Sequence, residues 1–85
     1  MTPAEALAEV QGCARYGRYR ITAHAFDRMD ERGITEKELV RALCNAHGCR
    51  QEPGDKWRAL GLDRCGDALE VIIAIEHEMI VITVF

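Results

Sequence analysis

The sequence predicts an α+β fold, with N-terminal helices packed on an antiparallel meander of three to four strands. Two observations carry that reading. Capping threonines at positions 2, 22 and 35 are each followed by residues at helical spacing. After Gly48 the pattern turns to β-branched and alternating residues broken by short turns, the signature of strands. Helices first and strands second define the α+β class. A length of 85 residues suits one domain spanning 1–85.

Thr2-Pro3-Ala4-Glu5 opens the first helix with a capping residue, a proline where no amide is needed and an acid to close the box. Ala6, Leu7, Val10, Cys13 and Ala14 fall on one face, and Tyr16-Gly17 ends the helix. Arg18 to Ile21 reads as a short extended connection. Thr22 caps a second helix over His24–Arg32, stopped by Gly33. Thr35-Glu36-Lys37-Glu38 is another capping box, followed by Leu39, Val40, Leu43 and Ala46 at helical spacing. Strands are predicted over Cys49–Glu52, Lys56–Leu62, Leu69–Ile75 and Met79–Phe85, with turns at Pro53-Gly54-Asp55, Asp63–Asp67 and Glu76-His77-Glu78. The last strand is apolar on both faces, which suits a central strand or one whose second face meets a partner.

With 11 basic and 14 acidic residues the net charge is −3, which argues against a protein living by non-specific nucleic-acid binding. Any such role rests on a local patch, and Arg15, Arg18, Arg20, Arg28 and Arg32 crowd one region. No apolar run approaches the ~20 residues of a membrane-spanning helix, and no basic segment followed by an apolar one opens the chain. The expectation is a cytoplasmic protein, with no membrane partner and with its four cysteines reduced.

One feature is chemically loaded. At about 100° per residue, the second helix has three stripes. Ala25, Phe26 and Met29 form the face expected to be buried, Asp27, Asp30 and Glu31 an acidic face, and His24, Arg28 and Arg32 a cationic stripe bordering the core. Arginine offers paired donors that match phosphate oxygens, and histidine shuttles a proton near neutral pH. Metal-free RNA cleavage asks for such a set: proton transfer at the 2′-hydroxyl and leaving oxygen, and cations on the phosphorus centre. The competing reading is structural, with the arginines paired to Asp27, Asp30, Glu31 or Glu36 and His24 capping or packing.

The run Ile21-Thr22-Ala23-His24-Ala25-Phe26-Asp27-Arg28-Met29-Asp30-Glu31-Arg32-Gly33-Ile34-Thr35 resembles the signature of the family called domain of unknown function 4258: His-Ala, then Arg-Met, then Arg-Gly-Ile and a capping residue. A strand centred on Trp57-Arg58 and a last strand ending in Thr83-Val84-Phe85 fit the same layout, so the resemblance covers about residues 19–85. That family is similar to RelE- and MqsR-like toxins. The similarity implies a RelE-like fold and a metal-independent endoribonuclease that needs no cofactor, acts on RNA and pairs with a protein antitoxin. It carries His24, Arg28, Arg32, Arg58 and Thr83 over as catalytic residues; Lys56, Trp57 and Tyr19, read from their own positions beside basic residues, are the candidate substrate contacts. Lys56 shares a sheet face with Arg58 by alternation, so a cationic cleft between helix and sheet is expected. A second reading is a non-catalytic binding module, a homodimer formed through the apolar last strand.

Other residues have bland readings alongside the sharp ones. Trp57 lies between Lys56 and Arg58, as a base-stacking residue would, but an alternating strand also needs a large core residue there. Tyr16 and Tyr19 are expected to face solvent. Cys44, His47, Cys49 and Cys65 offer a zinc-like ligand set, without the Cys-x-x-Cys knuckle such sites favour; buried free cysteine is the competing reading. His77 reads as a solvated turn residue.

Overall fold

A threonine begins each helix where its side chain can replace a missing intrahelical acceptor. The computed structural model describes residues 1–85. Helix α1 (Pro3–Arg15) is closed by the Thr2 box: Thr2 Oγ1 accepts from the Glu5 amide at 3.1 Å, and Glu5 Oε1 accepts from the Thr2 amide at 2.7 Å. Helix α3 (Glu36–Cys44) repeats the device with Thr35 and Glu38. Helix α2 (Ala23–Arg32) is capped by Thr22 and ends on Gly33, whose φ of +67° is the left-handed value that ends helices on glycine.

The strands are β1 (Tyr19–Ile21), β2 (Gly48–Glu52), β3 (Lys56–Leu62), β4 (Ala68–Ile75) and β5 (Met79–Val84). They form one five-stranded sheet in the order β1-β5-β4-β3-β2. The expected antiparallel meander of three to four strands is therefore corrected: β2 to β5 are antiparallel neighbours, but Tyr19–Ile21 adds a fifth strand, parallel to β5. The segment was legible as extended. Its pairing was not, because a parallel partner 60 positions away leaves no hairpin signal. The last strand is interior to the sheet, as its two apolar faces predict.

All the helices bury their apolar stripes in one cluster on one side of the sheet. Val10 of α1, Met29 of α2 and Leu39 of α3 join Leu69, Val71, Ile73, Met79, Val81 and Val84 there. Trp57, at 6% exposure, and Ala59 point to the same side from β3. Their neighbours Lys56, Arg58 and Leu60 alternate onto the opposite face, to which no helix contributes a buried residue. Phe26 departs from its predicted place: it is 42% exposed, and α2 buries only Ala25 and Met29. No helix is long and apolar enough to cross a membrane.

Gly61 marks the closest approach of helix to sheet. A Cβ there would lie 2.9 Å from the Ala42 carbonyl oxygen of α3, and backbone cannot swing aside as a side chain does. Gly61→Ala is therefore expected to cost about 1–3 kcal/mol as α3 is pushed outward, read as a lower urea midpoint. Gly48→Ala is the control: its Cβ meets only the Leu60 side chain, at 3.6 Å, and the change should stay within about 0.5 kcal/mol.

Candidate functional site

The first turn of α2 differs from those of the other helices. Glu5 and Glu38 close the first turns of α1 and α3, whereas α2 has no acidic residue in its first turn. Its capping residue faces the sheet instead. The Thr22 hydroxyl accepts from the Ala25 amide at 3.1 Å and donates to the Ile82 carbonyl at 3.1 Å, while the Thr22 amide donates to the Val81 carbonyl at 3.1 Å. One side chain thus starts the helix and locks its first turn to β5, one residue from Thr83. His24 occupies that turn, exposed. The early amides of any helix lack intrahelical acceptors and carry a partial positive charge. In α2 no acid of the same turn neutralises it.

Arg28 is half-buried one turn on, and Nη1 reaches Glu31 Oε2 at 3.4 Å in an i,i+3 pair whose carboxylate is largely solvated. Such a pair is worth a few tenths of a kcal/mol and exchanges easily. Arg32, exposed in the last turn, forms no ion pair, and His24 forms neither ion pair nor side-chain hydrogen bond. The cationic stripe is therefore present and almost unpaired.

Arg58 and Thr83 belong to the uncovered sheet face. The register runs Arg58 to Ile72 on β4 and Ile72 to Thr83 on β5, so the two side chains share a row two strands apart. Lys56 lies on the same face, exposed, opposite Ala74. Arg58 is not a free cation. Nη1 donates to Glu70 Oε1 at 2.8 Å and Nη2 to Glu52 Oε1 at 3.4 Å, and the guanidinium lies 4.9 Å from the centre of the Phe85 ring. The hydrogen bond it donates to Glu70, then that to Glu52, raises the Arg58 pKa above its ordinary value and fixes its charge. Its Nε is buried without a partner. Arg50 adds a longer contact to Glu70, at 3.6 Å.

These positions correct the expected cationic cleft. Arg58 and Lys56 lie on the face opposite the core, and none of the five surface cavities is lined by His24, Arg28, Arg32, Arg58 or Thr83. Trp57 sits in the core at 6% exposure and reaches the surface only at an open cavity it lines with Met1, Gln51, Asp55 and Ile75. Tyr19 was expected to face solvent; it packs against the core and its hydroxyl donates to Glu36 Oε2 at 2.8 Å. Tyr16 is exposed. Sequence reasoning missed Glu52, Glu70 and Phe85 around Arg58. The signal was available for Glu70, the one charge in an apolar strand, two positions from Ile72.

The thiols separate by environment. Cys13 and Cys49 are buried, Cys44 is half-buried, Cys65 is exposed, and all four are free. Burial pushes the Cys49 thiol up, away from the thiolate a metal requires. No three His, Cys, Asp or Glu side chains are grouped to hold a metal ion. His77 lies with Arg18, Arg20, Glu76 and Glu78 around an open cavity of about 410 Å³ beside the β4–β5 turn, where Arg20 pairs with Glu78 at 3.4 Å.

The arrangement defines a small α+β domain in which a helix carrying a His24, Arg28 and Arg32 stripe is docked on the strand that runs into Thr83-Val84-Phe85. Residues 21–85 match the family described as Domain of unknown function (DUF4258), and the chain belongs to it. Helix α1 lies outside the matched span. A comparison with curated proteins finds no match to the chain.

The Tyr19–Glu36 bond makes a pH prediction. The carboxylate accepting from the phenol raises the Tyr19 pKa above its ordinary value of about 10. A raised folded-state pKa means that the bond's contribution is fully present below pH ~10 and lost as pH climbs through the raised value. In a Tyr16→Phe background, tyrosinate absorbance should therefore titrate late, and Glu36→Gln should move the titration to lower pH.

Proposed function

We propose that this protein is a RelE/MqsR-like, metal-independent endoribonuclease of a toxin–antitoxin pair, with the first turn of α2 as the phosphate-binding end of its site. The observation that supports the reading is the Thr22 clamp, which bonds the acid-free first turn carrying His24 to the β5 backbone at Val81 and Ile82. In the proposed reaction the RNA 2′-oxygen loses its proton, attacks phosphorus and displaces the 5′-oxygen, which takes up a proton. His24 serves as general acid or base. Arg28 and Arg32 hold the phosphate oxygens, with Glu31 displaced from Arg28, and Thr83 donates a hydrogen bond to the substrate. Arg58 contributes to transition-state charge only when Glu70 releases it. Lys56 extends the same face toward flanking phosphates. Trp57 and Tyr19 take no part in substrate contact.

A second reading rests on a specific observation, the neutralisation of Arg58 by Glu52 and Glu70. That network suits a non-catalytic binding module, in which Arg58 organises a surface rather than a reaction.

Purified protein should cleave single-stranded RNA or ribosome-bound message, and expression should slow growth. His24→Ala should lower cleavage by about 10²–10⁴-fold, the usual range for a lost general acid or base, with circular dichroism unchanged. RNA left intact with and without ribosomes, together with normal growth, removes the ribonuclease reading. Retained partner binding in inactive His24→Ala leaves the site intact as a module.

Glu70→Gln distinguishes the two roles of Arg58. If Arg58 assists phosphate binding, freeing it should tighten RNA binding severalfold, measured by fluorescence anisotropy at fixed salt. The substitution should also cost about 1 kcal/mol in stability, less than a buried charged hydrogen bond because Glu70 is about one-third exposed. Weaker RNA binding by a folded Glu70→Gln protein would assign Arg58 to structure.

A further inference from the structure

The two edges of the sheet are not equivalent. At one edge β1 is three residues long and runs directly into α2, whose cap is bonded to β5. That edge is short and ends in a helix, two of the usual protections against strand pairing. The other edge is β2, five residues long, paired with β3 in unbroken register from Gly48–Leu60 to Glu52–Lys56. It contains no proline, no lysine and no bulge, and Arg50 and Gln51 are exposed. An edge strand leaves one row of amides and carbonyls without strand partners.

The charges on that edge are incomplete in a particular way. Arg50 lies directly opposite Arg58 on β3, and like charges facing each other across strands are unfavourable. Its contact with Glu70, at 3.6 Å, leaves the side chain 62% exposed. On its outer side there is no carboxylate. Glu52, two residues on, shares the same face by alternation.

We propose that β2 pairs antiparallel with β2 of a second copy of this chain, about a two-fold axis through Gln51 and perpendicular to the sheet. Only this register satisfies the charges. Centred on Gln51, each Arg50 lies opposite Glu52 of the other copy, so both opposite-charge pairs form at once. Centred on position 50 or 52, arginine meets arginine or glutamate meets glutamate; centred on 49, Arg50 faces Gly48. Such an interface is isologous, the usual form of a closed dimer. The result is a continuous ten-stranded sheet whose two uncovered faces, each with its Arg58 and Thr83, point the same way. Three residues a side, Arg50 to Glu52, are opposed within the strands, because Cys49 and Gly48 face Pro53 and Gly54 of the other copy's turn; this is well below the roughly 1,200 Å² of standard interfaces, so the dimer forms reversibly with concentration and weakens with salt.

Sedimentation velocity on the full chain, over a concentration series reaching the millimolar range, tests the pairing. The wild-type protein should show a reversible dimer; R50E and E52R should each sediment as monomers, because either change places like charges at both contacts. Mixing the two variants should restore a dimer, and the double variant R50E/E52R should dimerise alone. E52R also removes a partner of Arg58, so a second arm avoids charge altogether. Gln51→Cys in a Cys65→Ser background should form a disulfide-linked dimer under mild oxidation, since residues opposed on the axis have Cβ atoms about 4.5–5.5 Å apart, whereas Lys37→Cys should not. A wild-type protein monomeric at every concentration, a dimer indifferent to charge reversal, or equal cross-linking at positions 51 and 37 overturns the proposal.

Discussion

Strand β5 is the constraint on which the architecture depends. It is paired on both sides, parallel to β1 and antiparallel to β4, and both edges are occupied by segments from opposite ends of the chain. The Met79 amide donates to the Arg18 carbonyl and the Thr22 amide to the Val81 carbonyl, so β1 is held at its beginning and end. Met79, Val81 and Val84 are fully buried. The parallel contact spans 60 residues of sequence and is paid in loop-closure entropy before any local structure rewards it. The hydrophobic burial of β5 must therefore support the β1 pairing, and the Thr22 clamp makes α2 a dependant of the same strand.

This dependence explains what was legible in the sequence and what was not. Caps are local: Thr2 with Glu5, Thr35 with Glu38, and Thr22 with Gly33 each act within one turn or one helix, and all start or end helices where residue types place them. The alternation in Lys56–Leu62 likewise assigns Trp57 to the core and Arg58 to the other face without help from the rest of the chain. The failures are non-local. Tyr19–Ile21 is too short to announce a strand, and only β5 makes it one. Phe26 sits on the apolar arc of the helical wheel, yet the two-residue contact of Ala25 and Met29 with the core is narrower than that arc. The expected cleft between helix and sheet needed the relative placement of α2 and the Arg58 face, which no spacing within either element encodes.

The electrostatics divide along the same line. The chain is acidic overall, but its acids are unevenly committed. Glu52 and Glu70 are spent on Arg58 and Arg50, Glu78 on Arg20, Glu38 on its cap and on Arg64 at 3.8 Å. On α2 the one ion pair is Arg28 with Glu31, and its solvation makes it weak. The positive end of the α2 dipole and His24 lie in the first turn and the unpaired Arg32 in the last, on a helix that also carries Asp27, Asp30 and Glu31, within a chain of net charge −3. On the proposed reading, an anion would be drawn to α2 only over about one Debye length, ~8 Å at physiological salt, and not by the protein as a whole. Recognition of this kind depends on contact geometry more than on long-range steering.

The sheet separates these demands in space. One face is spent on the core, and the other mixes Lys56, Arg58, Glu70 and Thr83 with the apolar Leu60, Ile72, Ala74 and Ile80, Ile72 being 8% exposed within the row that joins Arg58 to Thr83. Across that face, the α2–β5 seam and the β2 edge lie three strand spacings apart, about 14 Å. A two-fold partner at β2 therefore enlarges the uncovered face without touching the helix that carries His24. Arg58 stands between the two regions and is bonded to both, to Glu52 on β2 and to Glu70 on β4. Its aliphatic stem and the Phe85 ring shield the apolar centre of the face, while its head is held by carboxylates. A charge fixed in that way costs little to keep, since its partners are already in place, and much to orphan. The residue most tempting to enlist as a free phosphate ligand is thus the one the sheet holds most firmly, and the cations with a weak partner or none are Arg28 and Arg32 of α2.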